Sequence, residues 1–138
     1  MKLFVDTWGW LALADRGEPQ HQQVTSFYAE RTRRTGLVLT TDYVLDELLT
    51  ILFSRLPFEA ATRFSDSVLR SPFITIERIT PERFQKAWDL RRKFSDKPRI
   101  SFTDLTSMAT MNELGISDIL TADKHFAQVG MNFRLLPG

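Results

Sequence analysis

The chain has 138 residues, 43% of them hydrophobic and 25% charged, with a formal net charge of +1. These are values for one globular domain that can bury a core unaided, with no global field to attract a polyanion. With no cysteine and two histidines, His21 and His125, disulfides, thiolate metal sites and a histidine-rich zinc site are excluded, so a metal would have to be held mainly by carboxylates, which points to Mg²⁺ or Mn²⁺.

The first stretch, Leu3-Phe4-Val5-Asp6-Thr7, is a short apolar run that ends in an acid. Such a run suits a central strand buried on both faces. Ligands gather at the carboxyl ends of strands in open α/β sheets, so Asp6 is a site candidate; it would also serve as the cap of the helix that follows. Residues 7–15 read as a short helix with Trp8, Leu11 and Ala12 on one face, and 16–19 as a turn. Residues 20–34 read as an amphipathic helix on Val24, Phe27 and Tyr28, stopped by Arg31, Arg33, Arg34 and Gly36. Residues 37–40 are a second apolar strand. The helix over 42–56 has a wide apolar face, and Pro57 opens another over 58–70. Residues 73–78 alternate like a third strand. Thr80 and Pro81 start a helix that runs to about Phe94, with Phe84, Ala87, Trp88 and Leu90 inward. A polar loop over 95–100 leads to a helix from Ser101 to Leu114, then to strands at 119–121 and 133–136. Strands alternating with helices predict an α/β/α domain over residues 1–138, with a central, mainly parallel sheet of about five strands flanked by helices.

No basic-then-apolar leader with a cleavage site is visible, and the apolar stretch 8–14 is too short to span a bilayer; the expectation is a cytoplasmic protein away from membranes. Four acids lie where such a sheet would converge them. Asp6 follows the first strand, Glu47 lies on the helix after the second, Asp104 is in the first turn of the helix before the fourth, and Asp123 follows that strand. On a helical wheel Glu47 falls beside Val44 and Ile51 at the edge of the apolar stripe, whereas Asp46 falls farther round toward solvent. Each acid has a structural alternative: Asp104 follows Ser101 at capping-box spacing, Glu47 could be a surface acid, and Asp123 a turn residue. Clustered carboxylates repel one another, and a bound divalent cation removes that cost.

With these residues the chain resembles a PIN domain, and within that family the toxin half of a VapBC toxin–antitoxin pair. The resemblance is carried by Leu3-Phe4-Val5-Asp6-Thr7, Asp42-Tyr43-Val44-Leu45-Asp46-Glu47-Leu48, Ser101-Phe102-Thr103-Asp104 and Leu120-Thr121-Ala122-Asp123-Lys124-His125-Phe126, in the family's order and over essentially the whole chain. It implies a catalytic acidic site of Asp6, Glu47, Asp104 and Asp123 holding Mg²⁺ or Mn²⁺, with Asp6 and Asp104 as the most direct ligands. It implies that Thr7, Ser101 and Thr121 supply hydroxyls, and that Asp96 matches an acidic loop position, where a plain turn residue fits equally well. His125 is implied to be a packing and turn residue.

The implied activity is metal-dependent hydrolysis of RNA phosphodiesters, through a metal-bound water of lowered pKa. Arg91, Arg92, Lys93, Lys97 and Arg99, just before Asp104, are the preferred RNA-binding cluster over Arg31, Arg33 and Arg34; solvated helix ends are the alternative for each. The resemblance also implies a VapB-like antitoxin over the site and a homodimer, with Trp8, Trp10, Phe53 and Phe58 divided between interfaces and core. A PIN-fold RNA- or protein-binding module without activity, and a non-toxin RNA-processing or DNA-acting nuclease, are the alternatives. A receiver domain is disfavoured because residues 73–80 carry no phosphoacceptor Asp, and an aspartyl phosphotransferase because Trp8 stands where its second acid belongs.

Overall fold

The computed structural model describes residues 1–138, apart from the side chain of Thr35. Leu3, Phe4 and Val5 form strand β1 (Leu3–Val5), and all three are fully buried. The other strands are β2 (Val38–Thr41), β3 (Ile74–Glu77), β4 (Asp118–Leu120) and β5 (Arg134–Leu136). Their order across the sheet is β3-β2-β1-β4-β5, and every neighbouring pair is parallel. The chain therefore walks outward from β1 to β3, then returns to lay β4 on the other side of β1. That reversal makes the carboxyl ends of β1 and β4 the crevice where such sheets bind ligands.

Helices α1 (Thr7–Ala14), α2 (His21–Thr35), α3 (Asp42–Arg55), α4 (Phe58–Arg70), α5 (Pro81–Lys93), α6 (Phe102–Leu114) and α7 (His125–Gln128) flank the sheet. One continuous apolar core joins it to them. Helix α1 lies unusually close to the strands. A Cβ at Gly9 would stand 2.5 Å from the Leu120 carbonyl oxygen and 2.8 Å from Val5, so only glycine admits this approach. Trp10 is buried, and its indole N–H donates to Thr40 Oγ1 at 3.1 Å; Thr40 donates in turn to the Val5 carbonyl at 3.0 Å. These contacts lock α1 and β2 to the strand that presents Asp6.

The structure departs from expectation in several places, among them β2, which begins and ends one residue later than expected. Along α5 the inward residues are Arg83 and Ala87, while Phe84 and Trp88 are about half exposed. Arg83 takes the inward position because its guanidinium bridges Glu77 and Glu113 at 2.9 and 2.7 Å, which satisfies the buried charge. Along α1 the buried set is Gly9, Trp10, Leu11 and Ala12, and Trp8 is half-buried. Strand β4 is shifted one residue toward the N-terminus of its expected span, with Asp118 inside it and Thr121 just past its end. Finally, α7 is a single turn too short to leave a periodic signature. Of the aromatic stretches, Trp10 is core, whereas Phe53 and Phe58 are exposed and pack on each other 5.4 Å apart.

Candidate active site

Asp6 leaves β1 and enters α1, and its two carboxylate oxygens make different contacts. Its Oδ1 accepts the Gly9 N–H at 2.8 Å, capping the helix. Its Oδ2 accepts the Thr121 hydroxyl at 2.5 Å, across from the end of β4. Asp104 is likewise reached through a cap. Ser101 Oγ accepts the Asp104 backbone N–H at 3.0 Å, which leaves the Asp104 carboxylate free to face the sheet end. Thr41 caps α3 from the end of β2, and one turn further Glu47 accepts the Thr7 hydroxyl at 2.6 Å. Asp46 points to solvent. Asp123 follows Thr121, whose Oγ1 accepts the Asp123 N–H at 2.9 Å, and Asp123 Oδ1 accepts the His125 N–H at 2.9 Å.

The four acids line one pocket of about 320 Å³, together with Thr7, Ser101 and Arg99. Trp8, Leu11 and Ile51 form its apolar wall. A larger cleft of about 460 Å³, bordered by α1, α2 and α4, has no carboxylate in its lining. Among the described residues, no Lys or Arg side chain forms an ion pair with Asp6, Glu47, Asp104 or Asp123. The electrostatics follow. Burial pushes Asp6 up to about 7 against the hydrogen bonds from Thr121 and Gly9, and the charges of Asp123 and Glu47 add to the rise. Burial likewise pushes Asp104 up to about 8, with adjacent Asp123 and then Asp6 and Glu47 acting in the same direction. A cluster of hard oxygen donors, two of them driven toward the neutral form, fits a divalent ion such as Mg²⁺ or Mn²⁺.

The basic cluster separates into different tasks. Arg91 donates to the carbonyls of Ile100, Phe94 and Lys97 at 2.7, 2.8 and 2.7 Å, so its guanidinium holds the loop over 94–100 in shape. That loop carries Arg99 to the rim of the acidic pocket. Arg99 also lines a neighbouring pocket of about 380 Å³, with Asp96, Lys97, Pro98, His125 and Gln128. Lys97 pairs with exposed Asp96 at 2.9 Å, and Asp96 does not reach the acidic pocket. Arg92 and Lys93 are exposed on α5. Arg31 is bound to Asp118 at 2.8 Å, on the other end of β4, while Arg33 and Arg34 pair with Glu30. Sequence reasoning did not assign Trp8, Leu11, Ile51 or His125 to the pocket. Trp8 and Leu11 are legible in hindsight as residues on the helix that Asp6 caps, and Ile51 as the residue one turn beyond Glu47.

A PIN domain family model matches residues 3–131. The 23S rRNA-specific endonuclease VapC20 of Mycobacterium tuberculosis, from each of two strains, is 30% identical over 128 residues, covering 93% of this chain and 94% of that protein. The crystal structure of Mycobacterium tuberculosis VapC20, a Sarcin-Ricin loop cleaving toxin, matches with a TM-score of 0.83 and 29% identity, over 93% of this chain and 95% of that one. Two more distant structures share the fold. VapBC2 from Rickettsia felis, bound to a DNA fragment from their promoter, matches with a TM-score of 0.74 at 15% identity, over 98% of this chain and 97% of that one. FitAcB from Neisseria gonorrhoeae matches with a TM-score of 0.67 at 14% identity, over 96% and 95%.

Proposed function

The chain belongs to the PIN domain family, and we propose that it is a divalent-metal-dependent endoribonuclease, the toxin of a type II toxin–antitoxin pair. The observation that carries this reading is the convergence of Asp6, Glu47, Asp104 and Asp123 on one pocket where, among the described residues, no Lys or Arg forms an ion pair with them. Homology to VapC20 supports it, and makes a structured loop of 23S rRNA the first substrate to test.

Asp6, Glu47, Asp104 and Asp123 would hold Mg²⁺ or Mn²⁺, with Asp6 and Asp104 as the most direct ligands. When bound, such an ion supplies hydroxide near neutral pH and neutralises charge on the phosphate. The remaining work falls to the protein. Thr7 fixes the Glu47 carboxylate, and Thr121 fixes both Asp6 and the turn that carries Asp123. Ser101 holds the start of α6, and so the position of Asp104. Arg99, held in place through the loop that Arg91 braces, contacts a substrate phosphate at the rim. Trp8, Leu11 and Ile51 give a flipped base or sugar an apolar wall. Lys97 and the exposed Arg92 and Lys93 extend the backbone contacts, while Asp96 acts as a loop residue paired with Lys97.

A VapB-like antitoxin and a second copy of the chain are the proposed partners, in keeping with the toxin–antitoxin neighbours in fold. No described helix is long and apolar enough to cross a membrane, and the proposed location is the cytoplasm.

The test is cleavage of an end-labelled 23S rRNA loop fragment beside tRNA and mRNA, with Mg²⁺ or Mn²⁺, using wild type and Asp6→Asn. Discrete cuts that disappear in the variant and with EDTA support the reading. An intact ladder from folded, metal-loaded, antitoxin-free protein on every RNA would overturn it in favour of a binding module or a DNA substrate.

A further inference from the structure

We propose that His125 is a nitrogen ligand of the metal site and biases it toward Mn²⁺ over Mg²⁺; the inference rests on the metal-site reading above. The resemblance assigns His125 only to packing and to a turn, and its backbone does make that turn, donating to Asp123 Oδ1 at 2.9 Å. The ring does something else. Nδ1 is buried and has no hydrogen-bond partner, although it lies 3.1 Å from Asp123 Oδ1. A buried polar atom without a partner is costly, and native folds seldom leave one without a reason.

The surroundings supply the reason. A ring nitrogen of His125 and one carboxylate oxygen each from Asp104 and Asp123 lie within 4.8 Å of one another, and all three residues line the acidic pocket. The turn that ties the His125 backbone to Asp123 holds the ring beside these oxygens, so the group is preorganised rather than recruited. A shared cation satisfies the orphaned nitrogen and the repelling carboxylates together. An imidazole added to oxygen donors raises affinity for transition ions more than for Mg²⁺, which prefers oxygen and water.

The probe is Mn²⁺ alone, read by electron spin echo envelope modulation and by calorimetric titration beside Mg²⁺. The chain has two histidines, and the other, His21, holds the Ala12 carbonyl at 2.7 Å and lines a different cleft. Imidazole nitrogen modulation on bound Mn²⁺ in the wild type therefore reports His125. The expected result is that modulation, its change to the ¹⁵N pattern in protein grown with ¹⁵N-histidine, and its loss in His125→Gln. His125→Gln should also weaken Mn²⁺ binding about tenfold or more, since loss of even an outer partner costs that much, with little change for Mg²⁺. The isotope arm needs no mutation, so a misfolded variant does not remove the test. Bound Mn²⁺ without nitrogen modulation overturns this inference and leaves the acidic site standing. No Mn²⁺ binding at all overturns both.

Discussion

Asp6 and Asp118 are equally buried carboxylates at opposite ends of neighbouring strands, and the protein treats them in opposite ways. Asp118 begins β4 between two guanidinium groups, Arg134 at 2.9 Å and Arg31 at 2.8 Å. Arg134 first and then Arg31 hold its carboxyl below the ordinary range. Asp6 ends β1 with hydrogen bonds and, among the described residues, no Lys or Arg ion pair, and burial drives it up to about 7. One end of the sheet has a finished charge network that fixes the strands. At the other end the charge is left uncompensated beside Asp104, Asp123 and Glu47. The same residue type closes a charge network where arginines meet it and lines the proposed metal site where, among the described residues, none do.

Neutralising one acid at each end of the sheet separates the two roles. Asp104→Asn should lower RNA cleavage at saturating Mg²⁺ at least about 100-fold, since the ion contributes several kcal/mol of charge stabilisation, while the variant folds with an unchanged circular dichroism spectrum. Asp118→Asn should do the reverse. It removes the carboxylate between Arg31 and Arg134 and should cost about 3 kcal/mol in urea unfolding, with cleavage per folded molecule retained. Equal losses of activity in the two variants would erase the distinction.

The two ends should also titrate in opposite directions. Asp6 and Asp104 keep protons in the native state up to about 7 and about 8, whereas the unfolded chain releases them near 4. The native state therefore binds more protons in that window, and their contribution to stability is present below pH 4 and is lost as pH rises through 8. Melting of metal-free protein should fall over that range, by roughly 1 kcal/mol per pH unit for each group, and Mg²⁺ at pH 8 should restore it. Asp118, held low, contributes stability above its unfolded pKa that is lost on acidification. Melting curves from pH 3 to 9, with and without Mg²⁺ and in Asp118→Asn, read both slopes. A metal-free melting point that climbs from pH 5 to 8 would contradict the account of the acidic end.

Smaller effects probe how the acidic end is positioned. Gly9→Ala places a methyl 2.5 Å from the Leu120 carbonyl, so α1 must move away from β4. The expected cost is about 1–3 kcal/mol in denaturant unfolding, with weakened cleavage because Asp6 and Trp8 move with α1. Arg99→Ala should leave stability unchanged and raise KM for RNA, reducing the salt dependence of binding by about one phosphate contact. An unchanged salt slope would remove Arg99 from the substrate path.

Much of this was legible in the chain because the signals are local. An apolar run ending in an acid, a Thr-Pro helix start and the Ser101–Asp104 cap each report their own backbone. Asp6 was ambiguous because its carboxylate both caps α1 and lines the acidic pocket, and Asp104 because its own N–H is the one that Ser101 caps, which leaves its carboxylate to line that pocket. Glu47 was separable from Asp46 by its place on the apolar stripe of α3. What stayed hidden depends on distant partners. The inward turn of Arg83 needs Glu77 and Glu113, and the role of Arg91 needs three carbonyls from the loop it braces. Composition cannot distinguish such an arginine from one that contacts RNA. The buried nitrogen of His125 became visible only once α6 and the turn after β4 were brought together.

The most direct test of the central contrast is Mg²⁺ binding by calorimetry at pH 7, repeated in buffers of different ionisation enthalpy to count the protons released. At least one saturable site is expected, with about one to two protons leaving as the ion binds, drawn from Asp6 and Asp104. Asp104→Asn should reduce both affinity and proton release, and Asp118→Asn neither. Absence of binding, or binding that displaces no protons, would contradict the claim that this end of the sheet holds uncompensated acids set for a cation.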